Sequence, residues 1–340
     1  MKRALICLII LSFAVVPANA RRFADGPFEL ALHPAKVPEA PQTYRLLPKA
    51  DEQTDADAAP LYEKAIQAMP KGREQEEQIQ EWLKLPPERL PLKQVEECLQ
   101  KHMESLRLAA RAARCKECNW PEWKPGMTPL NLSGYRKLAF VLELWARWEL
   151  ASGGYDGALL AMQAGFGMAN HLGQGPTIIQ NLVGVAVGAL MCKEVELFVQ
   201  GKDSPNLYWA LANLPRSLAN MEKAIDKETA NLKSYNLLLR KQFEKQLEPA
   251  HDRTRLIAKR LDNNLNALQS VEAIRHYAAI HEGRLPDELS DISELEVPKD
   301  LMSDKAFDYR RSGASALLQS VMPDGGDAVD TVRYEIVLKK

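Results

Sequence analysis

Two cysteines spaced as C-x-x-C, Cys115 and Cys118, are the residues whose types and spacing most directly suggest chemistry. Such a pair can serve as a redox dithiol, as half of a zinc site or as part of a structural disulfide. A haem attachment motif needs a histidine directly after the second cysteine, and Asn119 stands there instead. No thioredoxin-like βαβ pattern surrounds the pair. A structural disulfide is therefore the favoured interpretation.

Cys98 and Cys192 add two further thiols to this pair. The fifth cysteine of the sequence, Cys7, lies in an N-terminal segment that is predicted to be removed. The four that remain allow three complete pairings, and the sequence does not choose among them. Cys98 and His102 share one face of a predicted helix, which leaves a zinc half-site open as an alternative. In an oxidising compartment a disulfide between two of the four is the default expectation.

Carboxylates beside aromatic rings form the second candidate for chemistry. Glu143 and Glu149 lie in one predicted helix, close to Trp145 and Trp148. Paired carboxylates of this kind are used to cleave glycosidic bonds. The glycine- and glutamine-containing motifs that accompany a catalytic glutamate in helical cell-wall transglycosylases are missing from the sequence. A wall-cleaving glycoside hydrolase or transglycosylase is therefore the alternative hypothesis, and the leading one is a non-catalytic protein.

Two tryptophans, Trp120 and Trp123, lie in a proline-rich loop and are the candidates for a binding surface. The competing interpretation is a loop that its aromatic side chains pin to the body. The sequence contains no G-x-S-x-G, phosphate-binding loop or dinucleotide fingerprint. No cofactor is therefore expected, apart from a calcium ion discussed below.

The first 20 residues carry the pattern of a removable signal peptide. Lys2 and Arg3 precede an apolar run from residue 4 to residue 16, and Ala18 and Ala20 supply the small residues that a signal peptidase requires. The sequence thus predicts a protein exported to the periplasm or the medium. The expected partner is an envelope protein or a peptide.

Charge is balanced along the chain, with a formal net charge of −1. Charges of both signs alternate, so the sequence favours neither nucleic-acid binding nor a polybasic membrane contact. The most apolar later stretch, residues 178–191, contains two amides and is shorter than a membrane span, which takes about 20 residues. It is predicted to be a buried core helix that Thr177 caps, which leaves no membrane span after signal cleavage.

The elements that must position these residues fall into three regions after the signal. Five prolines between residues 21 and 59 forbid a regular helix and indicate an extended arm. Apolar residues at three- and four-residue steps predict a helical domain over 60–250, whose last helix ends at Pro249. A long helix and short alternating segments follow over 251–340, which indicates a small antiparallel β-sheet. The fold class is mainly α, with an irregular tetratricopeptide-like helical array.

The C-terminal region resembles the globular part of type II secretion major pseudopilins over about residues 262–338. The resemblance lies in the order of a long helix, a G-x-x-P-x-x-L stretch, a V-P-K-D segment, an F-D-Y-R strand and a turn containing P-D-G-G, at residues 283–289, 297–300, 307–310 and 323–326. Met322 departs from the pattern, because the family usually has glycine there. The resemblance implies a shared module, in which Asp324 and Asp327 are candidate calcium ligands.

The middle of the chain, about residues 60–230, resembles a set of uncharacterised exported proteins of planctomycete bacteria. The segments that carry this resemblance are C-N-W, G-Y-D, A-N-H-L-G-Q-G-P-T and N-L-Y-W-A-L, at residues 118–120, 154–156, 169–177 and 206–211. The resemblance implies a helical domain and no particular activity. The sequence as a whole therefore favours an exported interaction or scaffold protein of the cell envelope.

Overall fold

The computed structural model describes residues 26–121, 130–231, 237–322 and 331–339. Four predictions fall outside these residues and stay predictions: the signal peptide over 1–20, the binding role of Trp123, and the calcium ligands Asp324 and Asp327.

Ten α-helices and six β-strands make up the described part of the chain, which confirms the mainly helical prediction. The helices are α1 Ala58–Ala68, α2 Arg73–Trp82, α3 Leu92–Lys101, α4 Met103–Ala113, α5 Leu132–Ala151, α6 Tyr155–Gly173, α7 Ile178–Phe198, α8 Tyr208–Ala212, α9 Met221–Asn231 and α10 Leu237–Ile280. The strands are β1 Phe28–Leu32, β2 Thr54–Asp57, β3 Cys115–Glu117, β4 Asp308–Ser312, β5 Ser315–Gln319 and β6 Arg333–Leu338.

Helix α7 is the central helix. Thr177 caps it as predicted, since its hydroxyl accepts a hydrogen bond from the Gln180 amide at 3.3 Å. Within the described residues α7 alone is long and apolar enough to cross a membrane, yet 61% of its apolar window is buried by protein. A side chain at Gly184 would collide with the backbone of Gly173, so the glycine lets α6 and α7 approach closely.

The buried apolar residues form two clusters that meet at α6 and α7. The N-terminal cluster joins α1 to α5 with one side of α6 and α7. The C-terminal cluster joins the other side of these two helices to α8, α9, α10, the arm and the sheet. Both clusters contain residues of α6 and α7, so these two helices connect the two halves of the molecule.

The three C-terminal strands are antiparallel, as predicted, but the sheet is mixed because it contains a fourth, parallel strand. Its strand order is β1-β6-β5-β4, in which β4, β5 and β6 are antiparallel and β1 pairs parallel with β6. The parallel strand comes from the arm, with Phe28 opposite Tyr334. A pairing between opposite ends of the chain leaves no trace in the local alternation from which the sheet was predicted.

The arm continues across the body after β1. The Ala35 amide donates to the Arg275 carbonyl at 3.2 Å, and the Val37 amide donates to Nδ1 of His276 at 3.1 Å. Strand β2 then pairs with β3, the short strand that contains Cys115. The arm is therefore attached to α10 at one end and to the edge of the helical domain at the other.

Helix α10 continues through Pro249, so the prediction that a helix ends there was wrong. A proline costs one helical hydrogen bond but does not force an end where other contacts hold the helix. Arg255, one turn and a half further on, donates to both carboxylate oxygens of Glu222 on α9, at 2.7 and 3.1 Å. This contact fixes α10 against its neighbour close to the proline.

Candidate functional site

A pocket of about 600 Å³ lies between the arm and the helical body. Its walls come from the arm, the end of α4, β3, the C-terminal half of α6 and the α8 end. The residues that line it are Gln42, Arg45, Leu46, Leu47, Pro48, Lys49, Ala50, Asp51, Gln53, Ala113, Cys115, Lys116, Gly167, Asn170, His171, Ala210 and Asn213. Its volume is within the usual range of small-ligand and peptide-segment sites.

Small residues form part of the pocket lining. Ala113, Gly167 and Ala210 contribute little side-chain volume. A side chain at Gly167 would lie 2.6 Å from Cβ of Ala113, so α4 and α6 are in direct contact at this glycine. The close contact holds two of the pocket walls at a fixed separation.

The arm supplies a wall with a defined shape, which we call the arm loop, residues 45–52. Nη1 of Arg45 donates to Oε1 of Glu52 at 2.7 Å, and the Lys49 amide donates to Oε2 of Glu52 at 3.2 Å. The hydrogen bond from Arg45, followed by that from Lys49, lowers the pKa of Glu52 below its usual range. Gln163 on α6 donates to the Arg45 carbonyl at 3.2 Å and ties the loop to the body.

A neutral network of buried polar groups, Tyr62, His171 and Cys115, borders the pocket. Nε2 of His171 lies 3.1 Å from the Cys115 carbonyl oxygen, which can only accept, so Nε2 carries the proton. Nδ1 then accepts from the Tyr62 hydroxyl at 3.0 Å. Burial lowers the pKa of His171 and keeps the ring neutral. Both nitrogens are committed, so His171 is not available as a general base.

The cysteines are buried or half-buried thiols. The Cys115 thiol lies 3.7 Å from the Thr54 hydroxyl and 3.6 Å from the Arg111 carbonyl. Burial is the main cause that raises the pKa of Cys118 far above its usual range, with the nearby Asp57 as a lesser cause. A thiol that resists ionisation is a poor nucleophile and a poor metal ligand.

The four cysteines are free thiols in the structure, which therefore lacks the favoured disulfide. Cys192 belongs to the C-terminal cluster, whereas Cys98 and Cys115 belong to the N-terminal cluster. Cys118 packs against the N-terminal cluster too. Cys192 consequently has no cysteine in its own cluster with which to pair.

The alternative zinc half-site is occupied by local hydrogen bonding. Nδ1 of His102 lies 2.9 Å from the Cys98 carbonyl oxygen and 3.9 Å from the Cys98 sulfur. Burial lowers the pKa of His102. In the described ranges no three His, Cys, Asp or Glu side chains are grouped so as to hold a metal ion.

Trp120 is half-buried against the body. Its Nε1 donates to the His171 carbonyl at 2.8 Å, and its ring meets that of Tyr135 edge to face, with 5.7 Å between centroids. The structure therefore places Trp120 beside the neutral network, where it anchors the chain that leaves β3. This contact agrees with the pinned interpretation for Trp120 alone, because residues 122–129 of the loop lie outside the described ones.

The candidate glutamate Glu143 belongs to a buried ionic network with Arg147, Lys193 and Glu194. Arg147 binds Glu194 through both its Nε and Nη2 groups and lies 3.5 Å from Glu143, which also binds Lys193 at 3.0 Å. Burial raises the pKa of Glu194 to about 7, against the opposing charge of Arg147. The network links α5 to α7 and does not line the pocket.

Glu149, the second candidate, also has a structural role. It accepts a hydrogen bond from Nε1 of Trp145 at 3.0 Å. Its carboxylate lies over Gly154 and Gly157, at the start of α6, where a negative charge is favourable. The two glutamates thus stabilise helices and do not face the pocket together.

No protein-family model, no curated protein and no solved structure matches this chain.

The pocket was not found by sequence reasoning, although two of its residues, Asn170 and His171, lie in a segment that carried a resemblance. The sequence carried only a weak signal for the pocket. Cys115 and the arm were each identified, but the sequence does not show that they face each other. Their pairing through β2 and β3 is what closes the site.

Proposed function

We propose that this chain is an exported, non-catalytic binding protein of the cell envelope, and that the pocket beneath the arm takes a peptide segment of its partner. One contrast supports the proposal. The groups with catalytic potential are committed to internal contacts, whereas four amide side chains that line the pocket are not. An irregular tetratricopeptide-like arrangement of the helices would suit the same role, because such arrays bind peptides on their concave faces.

The amide side chains of the pocket carry the argument. Those of Gln42, Gln53, Asn170 and Asn213 line it, and none makes a hydrogen bond to another described residue. Each amide offers two donors and an acceptor, as a peptide backbone needs. Asn170 is half-buried, so a bound backbone would satisfy a group that is partly shielded from water.

Site-specific cross-linking in the native envelope tests the proposal. A photoreactive amino acid replaces Asn213, which is exposed and lines the pocket. A matched control replaces Lys93, which is exposed on α3 and does not line it. Mass spectrometry of peptide adducts should find one or two defined partners attached at position 213 and none of them at position 93. The same adducts at both positions, or none at either, would contradict the proposal.

Glycosidic cleavage, the alternative, has weaker support. Glu143 is 1% exposed and bound by two cations, and Glu149 is held by Trp145. Purified protein should therefore release no soluble fragments from peptidoglycan. Release that disappears in E149Q but not in the control E104Q, a change of an exposed glutamate on α4, would favour the hydrolase instead.

A further inference from the structure

The pocket lining contains three cationic side chains, Arg45, Lys49 and Lys116, and one carboxylate, Asp51. The charge of Arg45 is already matched by Glu52 at 2.7 Å. Lys49 and Lys116 have no ion-pair partner among the described residues. Two ammonium groups and one carboxylate, that of Asp51, therefore remain in one cavity, which leaves its lining with a net positive charge.

Lys49 is held in position before any ligand arrives. Its backbone amide donates to Glu52, and the Glu52 amide donates to the Lys49 carbonyl at 3.0 Å. The neighbouring Pro48 is buried, and Lys49 itself is half-buried. A fixed backbone reduces the entropy lost on binding.

Lys116 comes from the opposite wall. It is the middle residue of β3 and is exposed, with its neighbours Cys115 and Glu117 paired to β2. The strand pairing holds the two walls together, so the two lysines approach one cavity from the arm and from the body. The neutral network beneath them adds no charge, so Asp51 is the one carboxylate of the lining that would oppose an anion.

We infer that the pocket recognises a peptide carboxylate through Lys49 and Lys116, while the amides bind the adjoining backbone. This inference rests on the proposed function and names its ligand chemistry. The small residues Ala113, Gly167 and Ala210 leave room for an extended backbone beside them. The carboxylate is either an acidic side chain or the free C-terminus of the peptide, and the experiment separates these two sources.

The test uses three randomised hexapeptide libraries and the full chain after its first 20 residues. One library has glutamate at its central position and an amidated end, and one has glutamine there and an amidated end. The third has central glutamine and a free C-terminal carboxylate. Retention on immobilised protein, quantified by mass spectrometry, should be greater for one or both carboxylate libraries than for the neutral library. The advantage should shrink in 0.5 M salt, where charges are screened over about 4 Å.

Charge variants locate the effect. Lys49→Gln and Lys116→Gln should each reduce retention of the favoured library about threefold, as partly exposed ion pairs do. Lys49→Arg should preserve it, because the charge is kept. Lys93→Gln is the control for net charge, since Lys93 is exposed and does not line the pocket.

Each outcome has a separate meaning. Equal retention of all three libraries would overturn the carboxylate inference and leave the binding function intact. If none of the three libraries were retained, both the carboxylate inference and the proposed binding function would be overturned. A carboxylate preference that survives the change of both pocket lysines, or that falls equally in Lys93→Gln, would also overturn the inference, because the charge responsible would then lie elsewhere.

Discussion

The neutral network and the ionic network are both buried between helices, and they differ in how they satisfy their polar groups. Tyr62, His171 and the Cys115 carbonyl form a chain in which each group is uncharged. Arg147 and Glu194 instead place opposite charges in contact, with both side chains at most 4% exposed. A buried neutral hydrogen bond leaves only a dipole unsatisfied when it is broken, whereas a broken buried ion pair leaves a charge.

The two networks also differ in their position relative to the pocket. Only the neutral network borders the pocket, through Cys115 and His171. A charged ligand there meets dipoles and surface lysines, so its binding does not disturb a balanced set of buried charges. The ionic network instead links α5 to α7, and none of its residues lines the pocket.

The largest effect should follow from breaking the ionic network. Arg147→Met leaves Glu194 and Glu143 without their shared cation, and Arg147 also donates to the Leu83 carbonyl. We expect the free energy of unfolding to fall by about 3–5 kcal/mol, measured as the shift of the urea midpoint. The double variant R147M/E194L removes both charges and should recover at least half of the loss. A fall below about 1 kcal/mol in R147M would show that the network is not effectively buried.

The second effect concerns pH. Burial raises the pKa of Glu194 from 4.5 to about 7, so the folded state binds its proton more tightly than the unfolded state does. The associated stability is fully present below pH 4.5 and is lost as the pH rises through about 7. Relative to E194Q, the wild type should lose on the order of 2 kcal/mol of unfolding free energy between these pH values.

The neutral network should show the opposite sign. The pKa of His171 is lowered by burial, so its stability contribution is present above 6.5 and is lost as the pH falls. Urea unfolding of the wild type and of E194Q at several pH values separates the two trends. E194Q retains the contribution of His171 without that of Glu194, and the difference between the two proteins reports Glu194. A wild type that gains stability over E194Q as the pH rises would mean that Arg147 keeps Glu194 ionised.

A smaller effect should follow from breaking the neutral network. Tyr62→Phe removes the hydroxyl that donates to His171 and should lower the unfolding free energy by about 1–2 kcal/mol. Tyr135→Phe is a matched control, because Tyr135 is buried in the same cluster and its hydroxyl has no hydrogen-bond partner in the described ranges. That change should be neutral or stabilising. Equal losses in the two variants would contradict the role assigned to the Tyr62 hydroxyl.

The smallest effect is expected at the arm loop, where an ion pair is exposed to water. The side chains of Arg45 and Glu52 are 21% and 47% exposed. Glu52→Gln should lower the unfolding free energy by about 0.5 kcal/mol, measured by urea unfolding at low salt. A loss as large as that of R147M would remove burial as the explanation for the difference between the two ion pairs.

Local patterns account for what the sequence predicts well. The apolar periodicity over residues 92–114 and the cap at Thr177 depend on residues a few positions apart. The cap is confirmed, and the periodic stretch is helical, although as two helices that meet at His102 and not as the single helix that the periodicity predicts. Pro249 shows the limit of that reasoning, because contacts with another helix override a local preference.

Pairings across the chain account for what the sequence does not predict. Nothing near Phe28 indicates that its partner is Tyr334, and nothing near Lys49 indicates that Lys116 lies across a pocket. His276 likewise gives no local sign that it accepts a hydrogen bond from the arm. The candidate site is closed by such distant pairings, so the sequence indicated Cys115 as a candidate residue but did not indicate the pocket that it lines.

The parallel pairing of β1 with β6 also sets an order of events during folding. It joins position 28 to position 334, so the first strand has to wait for the last one before its backbone can pair. Closing so long a loop is slow compared with forming the helices between them. We therefore expect β1 to pair with β6 after the helices between them have formed. The pocket depends on a shorter connection, since the pairing of β2 with β3 and the contact of Gln163 with Arg45 hold its arm wall. The two ends of the arm therefore face different folding costs: residues 45–57 dock on a neighbouring part of the chain, whereas β1 docks on its last strand.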